Sequence, residues 1–158
     1  MSAKDGQQQT VADNRKARHD YFIDESYEAG IVLTGSEIKS IRAGRANLRG
    51  GYARVMNGEV WLYDVHISPY EQSGTYFNHE PTRPRKLLLH RQEIDRLRAR
   101  VDQERLALVP LSLYFKDGRA KLELGLGRGR SSVDKRQVLA KRDAELEARR
   151  AMAAARRR

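Results

Sequence analysis

The chain has no cysteine among its 158 residues. That absence excludes a disulfide-stapled scaffold and any zinc or iron–sulfur site ligated by thiolates. No apolar run approaches the ~20 residues that a membrane-spanning helix needs. Residues 1–12, MSAKDGQQQTVA, lack the apolar core of a signal peptide. The expectation is a cytoplasmic protein without a membrane partner. Patterns for catalysis or metal binding are equally scarce. His19, His66, His79 and His90 fall in no metal-ligand spacing, and His66 sits inside a strand pattern, as a structural residue would. Gly125-Leu126-Gly127-Arg128-Gly129 follows a strand but has no Walker lysine. Carboxylates are scattered among basic residues rather than grouped as acid and base. These residues point away from an enzyme, and no metal or other cofactor is expected.

What the chain does have is positive charge. It carries 31 Lys and Arg against 21 Asp and Glu, a net of +10. The excess is uneven. From Arg128 to the end there are 11 basic and 4 acidic residues, whereas the preceding 127 residues hold 20 and 17. A nearly balanced body therefore precedes a basic tail. Large apolar residues after Ser132 are limited to Val133, Val138, Leu139, Leu146 and Met152, so the tail cannot bury much. The expected organisation is a structureless segment over 1–13, one domain over 14–130, and a basic tail over 131–158.

Within the body, Tyr21-Phe22-Ile23 and 29–33 read as strands. Residues 37–42 read as a short helix, with Ser36 as its cap and Gly44 as its stop. Residues 52–56 and 59–63 flank Asn57-Gly58, the favoured two-residue hairpin turn, with the strand expected to run on to Ile67. Residues 71–85 read as a long exposed loop, and 86–105 as the main helix, with Leu87, Ile94, Leu97 and Val101 at helical spacing. A second hairpin turns at Asp117-Gly118 and returns through Lys121-Leu122-Glu123-Leu124. Gly125, Gly127 and Gly129 then break the pattern and mark the expected end of the body. Short strands, two hairpins and few helices predict a mainly β protein, an OB-fold-like closed antiparallel barrel with flanking short helices. A β-sandwich is the alternative that pattern alone does not separate.

Basic clusters carry the functional signal. Arg15, Lys16, Arg18 and His19 precede the aromatic pair Tyr21-Phe22. Arg83, Arg85 and Lys86 are expected to project from a loop at the start of the main helix, a phosphate-binding arrangement. Arg128 and Arg130 are spaced by glycine, which lets backbone approach a phosphate chain. Tyr21, Phe22 and Tyr76 are candidates for stacking on unpaired bases. Three such clusters in one small body favour RNA as the partner. The tail lacks aromatic residues and a wide apolar face, which argues against a membrane-surface helix.

The order and spacing of several motifs resemble the SsrA-binding protein (SmpB) family. They are Asn14-Arg15-Lys16-Ala17-Arg18-His19-Asp20-Tyr21, Tyr27-Glu28-Ala29-Gly30-Ile31, Gly35-Ser36-Glu37-Ile38-Lys39-Ser40-Ile41-Arg42, Pro81-Thr82-Arg83, Arg85-Lys86-Leu87-Leu88-Leu89-His90, Leu111-Ser112-Leu113-Tyr114-Phe115-Lys116, and Gly129 with Asp134-Lys135-Arg136. The resemblance implies an OB-like barrel that is not an enzyme. It implies binding to the tRNA-like domain of transfer-messenger RNA, charging by alanyl-tRNA synthetase, delivery by elongation factor Tu, and entry to the stalled ribosome as a monomer. By the same resemblance, Asn14, Arg15, Arg18, His19, Tyr21, Glu28, Leu88, Lys121 and Arg128 face the tRNA-like domain. Arg83, Arg85, Lys86 and Arg130 are expected on the same surface. Gly129, Val133, Asp134, Lys135 and Arg136 match the junction at the small-subunit decoding centre, and the tail beyond becomes a helix in the vacant messenger RNA channel. One departure stands out: Val133 occupies a position where many relatives place His or Tyr, and valine cannot stack on a base. A general RNA-binding barrel without this selectivity fits the basic clusters equally well.

Overall fold

The computed structural model describes residues 8–74, 77–130 and 132–156, with the side chains of 132–138 outside that description. Among the described residues, nine strands and four α-helices, besides one 3-10 turn (Glu71–Ser73), follow in chain order: β1 (Gln8–Asp13), α1 (Arg15–Asp20), β2 (Tyr21–Ile31), α2 (Gly35–Arg42), β3 (Ala46–Asn47), β4 (Tyr52–Met56), β5 (Glu59–Tyr63), β6 (His66–Ile67), β7 (Arg85–Leu88), α3 (Arg91–Glu104), β8 (Ala107–Lys116), β9 (Arg119–Gly129) and α4 (Ser132–Arg156). Seven strands form one antiparallel sheet in the order β1-β8-β4-β5-β7-β2-β9, and β9 pairs back onto β8. Six strands thereby close into a ring, the form taken by the expected closed antiparallel barrel. Strand β1 lies outside the ring along β8.

The two hairpins form where their turns predict them. Asn57 and Gly58 have φ of 52° and 75°, and Asp117 and Gly118 have 51° and 78°, the left-handed pair that joins strands of right-handed twist. Along β9, Leu122, Leu124 and Leu126 alternate into the main core beside Ala29, Leu62 and Leu87. Helix α3 adds Ile94 and Leu97 to that core. A second, smaller cluster joins Ala17 of α1 to Val109 and Leu111, with Tyr21 and Ile23 packed against it. Register shifts at Asp24 in β2 and at Leu111 in β8 create it. Each extra residue turns its strand over, so Leu113 faces the main core while Leu111 faces α1.

Several expectations are corrected. Residues 8–13 of the supposedly structureless segment form β1, because Val11 and Ala12 find the main core and β8 offers an edge beyond β4. The main helix begins at Arg91, not at 86; residues 85–88 form β7, the strand that joins β5 to β2 and completes the ring. The glycines do not interrupt the second hairpin's return strand: β9 runs through Gly125 and Gly127 to Gly129, one residue short of the expected boundary at 130. A Cβ on Gly127 would lie 2.2 Å from the Phe22 carbonyl oxygen, so glycine permits the close approach of β2 and β9. The strand after Tyr63 breaks at Asp64 (φ 58°), and β6 pairs with β3 in a separate ribbon. His66 is exposed there, and the buried histidine is His79.

Candidate nucleic-acid interface

Helix α1 is short and depends on its cap. Asn14 is buried; its Oδ1 accepts from the Ala17 amide at 3.1 Å, and its Nδ2 donates to the carbonyls of Pro110 (2.8 Å) and Leu48 (3.3 Å). These bonds use both ends of the amide. The expectation that Asn14 faces RNA is therefore corrected: it builds the surface and is not on it. What it presents is Arg15, Lys16 and Arg18, all exposed. Lys16 pairs with Asp20 at 3.1 Å, and Arg18 spans Asp13 (3.3 Å) and Glu123 (3.2 Å). Arg15 has no ion-pair partner among the described residues. His19 lies 3.1 Å from the Asp20 carboxylate through Nδ1. Tyr21 is half-buried against Ala17 and borders an open cleft of about 340 Å³ with Lys16, Gly50 and Tyr52. Tyr76 lies outside the described residues.

A second group comes from three different strands. Gly30 of β2 stands opposite Leu88 of β7 on one side and Lys121 of β9 on the other. The glycine leaves a shallow floor, and Glu28, Leu88, His90 and Lys121 border an open cleft of about 320 Å³ around it. Leu88 is 52% exposed, an unusual state for a leucine at the middle of a sheet. Glu28 accepts from the Tyr114 hydroxyl at 2.5 Å and from Lys116 Nζ at 3.4 Å. The Tyr114 hydrogen bond, with Lys116 and Lys121 nearby, holds the Glu28 carboxyl below its usual range. Burial, and then Glu28, push the Tyr114 hydroxyl up. The group is thus a fixed, ionised acceptor beside an ammonium donor and an apolar knob. Such a set suits a nucleotide, with an acceptor for base or ribose donors, a cation for phosphate and a surface to pack on.

The third expected group is corrected. Arg85 is 1% exposed and Glu37 is 0% exposed. Arg85 Nε donates to Glu37 at 2.5 Å, and its other nitrogens donate to the carbonyls of Val65 (2.7 Å) and Pro81 (3.0 Å). Arg83 reaches the same carboxylate at 2.5 Å. Lys86 is half-exposed on β7 and pairs with Glu59 at 2.5 Å. Arg85 and Lys86 lie on β7 and only Arg83 lies in the loop before it, turned to Glu37; Arg85 cross-links α2 to the 65–81 segment. The signal for the acid was local. Thr34-Gly35-Ser36-Glu37 is a capping box, with Thr34 and not Ser36 at the cap.

At the end of β9, Arg128 and Arg130 flank exposed Phe22. Their guanidinium carbons lie 6.0 Å and 3.9 Å from its ring centre. Gly129 pairs with Tyr21. Val133, Asp134, Lys135 and Arg136 lie in the first turns of α4, and their side chains are outside the described residues. From Leu139 to Arg156 every residue of α4 is exposed. Among the described residues no group of His and carboxylates could hold a metal ion, and no helix is long and apolar enough to cross a membrane.

The model of the family described as SmpB protein matches residues 11–154. The SsrA-binding protein of Roseiflexus castenholzii is 67% identical over 144 residues, 91% of this chain and 91% of its own. That of Chloroflexus aggregans is 61% identical over 152 residues, 96% of each chain. A solved chain from "tmRNA-SmpB: a journey to the center of the bacterial ribosome" superposes with a TM-score of 0.66 at 48% identity, covering 81% of this chain and 93% of that one.

Proposed function

The chain belongs to the SmpB protein family, and from that premise we propose that it binds the tRNA-like domain of transfer-messenger RNA and carries it to stalled ribosomes for trans-translation. Its role is RNA binding rather than catalysis. The observation that carries this reading is the family match, which runs through the body and nearly all of the tail. The geometry adds a surface suited to it. Arg15, Arg18, His19 and Tyr21 form a basic, partly aromatic corner, and Glu28, Leu88 and Lys121 converge around Gly30. The bound complex is charged with alanine by alanyl-tRNA synthetase and delivered by elongation factor Tu in the cytoplasm. The protein acts as a monomer.

The tail supplies the sensing step. Helix α4 has no packed face beyond Leu139, and a helix without tertiary contacts is marginal in water. It therefore exchanges with disordered forms in the free protein. An empty messenger RNA channel, lined by phosphates, stabilises the helix, whereas a channel filled by message leaves it nowhere to fold. Gly129 and residues 133–136 sit at the decoding centre, and Val133→His in a tagging assay tells whether an aromatic there adds anything.

The test is binding to the isolated tRNA-like domain against deacylated alanine tRNA in about 150 mM salt, where phosphate contacts alone weaken steeply. Tight, selective binding to the tRNA-like domain is the expected result. Equal and salt-sensitive binding to both RNAs would reduce the protein to a general basic RNA binder.

A further inference from the structure

We propose that Phe22 and Arg130 form a clamp that fixes the direction in which the tail leaves the body, so that Arg130 is a positioning residue and not an RNA contact. The inference rests on the function proposed above. Arg130 is one residue past β9 and two before α4. Three bonds hold it. Its amide donates to the Asp20 carbonyl at 2.7 Å, which extends the β2–β9 ladder one step and satisfies a carbonyl at the end of α1. Its Nε donates to the Tyr21 carbonyl at 3.3 Å. Its guanidinium covers the Phe22 ring at 3.9 Å, within the range of a cation–π contact. Phe22 is 39% exposed and belongs to neither core cluster, so its ring is a surface feature.

The residue before the clamp explains the need for it. A Cβ on Gly129 would meet nothing within 4 Å, so the ladder pairing with Tyr21 holds the chain there with no side chain packed behind it. A helix the length of α4 spans roughly 37 Å, and a swing of about 20° at its root moves its far end by roughly 13 Å. A tail that must enter a narrow channel cannot tolerate that error. The clamp also ties the tail's root to Asp20, Tyr21 and Phe22, at the corner that carries the basic residues of α1. Contact between RNA and that corner is thereby passed to the tail as orientation.

The experiment uses the full chain with Phe22→Ala, Phe22→Leu and Arg130→Lys. It reads melting temperature, affinity for the tRNA-like domain, and peptide tagging on stalled ribosomes at saturating complex. The lack of native cysteine allows a spin-label pair, Arg98→Cys at an exposed position of α3 with Ala151→Cys, to report the body-to-tail distance on the ribosome. All three variants are expected to keep affinity within about threefold, to lower tagging by about tenfold, and to broaden the distance distribution. Phe22→Leu keeps the apolar bulk and removes the ring, so it separates stacking from folding. Affinity falling in step with tagging would make Arg130 an RNA contact and overturn the proposal. Unchanged tagging by Arg130→Lys would overturn it too, since a charge alone would then suffice. Failure of the unaltered chain to bind or to support tagging would instead overturn the proposed function.

Discussion

Arg83, Arg85 and Lys86 look alike in sequence, three cations in four positions, yet their environments differ by nearly everything that sets an energy. Arg85 and Glu37 are taken out of water together, and each is tolerable only because the other is there. Burial pushes the Glu37 carboxyl up, but hydrogen bonds from Arg83, the Thr34 amide and Arg85 outweigh it and hold the group below the usual carboxylate range. Its folded value lies below its unfolded one. The stability it contributes is therefore complete above the unfolded value and is lost as pH falls through the folded value. Glu37→Gln should cost about 3–5 kcal/mol at neutral pH, because it leaves Arg85 charged and partly unpaired in the core. Urea unfolding at neutral and acidic pH measures this, and the gap between variant and parent should narrow as pH falls and the parent's own carboxyl protonates. Lys86→Ala removes a solvent-screened surface pair, and should leave the urea midpoint close to the parent's. Sequence could not rank these three cations, because the acid that decides among them lies on another element. The same holds for Asn14, whose amide is used up by carbonyls on two other segments.

Elements marked by local chemistry were legible: both hairpins from their two-residue turns, and α2 from its capping signals. Elements that exist only through their neighbours were not. Strand β7 holds the first two residues of Leu87-Leu88-Leu89, a run that reads equally well as the first turn of a helix. It is a strand because the ring needs a member between β5 and β2. Strand β1 likewise exists because β8 presents an edge. The candidate site shares this property, since Glu28, Leu88 and Lys121 come from three strands and meet only through register. The glycines of β9 carry the sharpest test at this scale. Gly127 has no room for a Cβ, with the Phe22 carbonyl oxygen 2.2 Å from its place, whereas Gly129 has open space. Gly127→Ala should therefore force β2 from β9 at a cost of about 3 kcal/mol or more, seen as a lower melting temperature. Gly129→Ala should melt as the parent does. A tolerant Gly127→Ala would mean that the two strands do not approach as closely as described.

At the scale of the molecule, charge and burial are divided between two parts. The body closes a core inside a ring and spends most of its surface charge on ion pairs, as Arg18, Arg96 and Arg100 show. The tail holds a large share of the net charge and buries nothing beyond Leu139. Its exposed apolar residues Leu139, Leu146 and Met152 form no stripe wide enough for a partner helix or a bilayer. What they leave is a basic helix with no packed face beyond Leu139, which is marginal in water on its own. This separation predicts that binding and tagging can be divided by mutation. Lys141, Arg142, Arg149 and Arg150 changed together to Glu reverse the tail's field without touching the ring. Affinity for the tRNA-like domain should stay within about threefold, because the residues proposed to meet it lie on α1, β2, β7 and β9. Tagging should be lost, because a negative tail is repelled by the phosphates of the channel it is proposed to enter. Circular dichroism of the free variant decides whether lost helix is the cause. Unchanged helicity with lost tagging leaves charge as the working property, and an equal loss of affinity and tagging would mean that the tail also holds the tRNA-like domain.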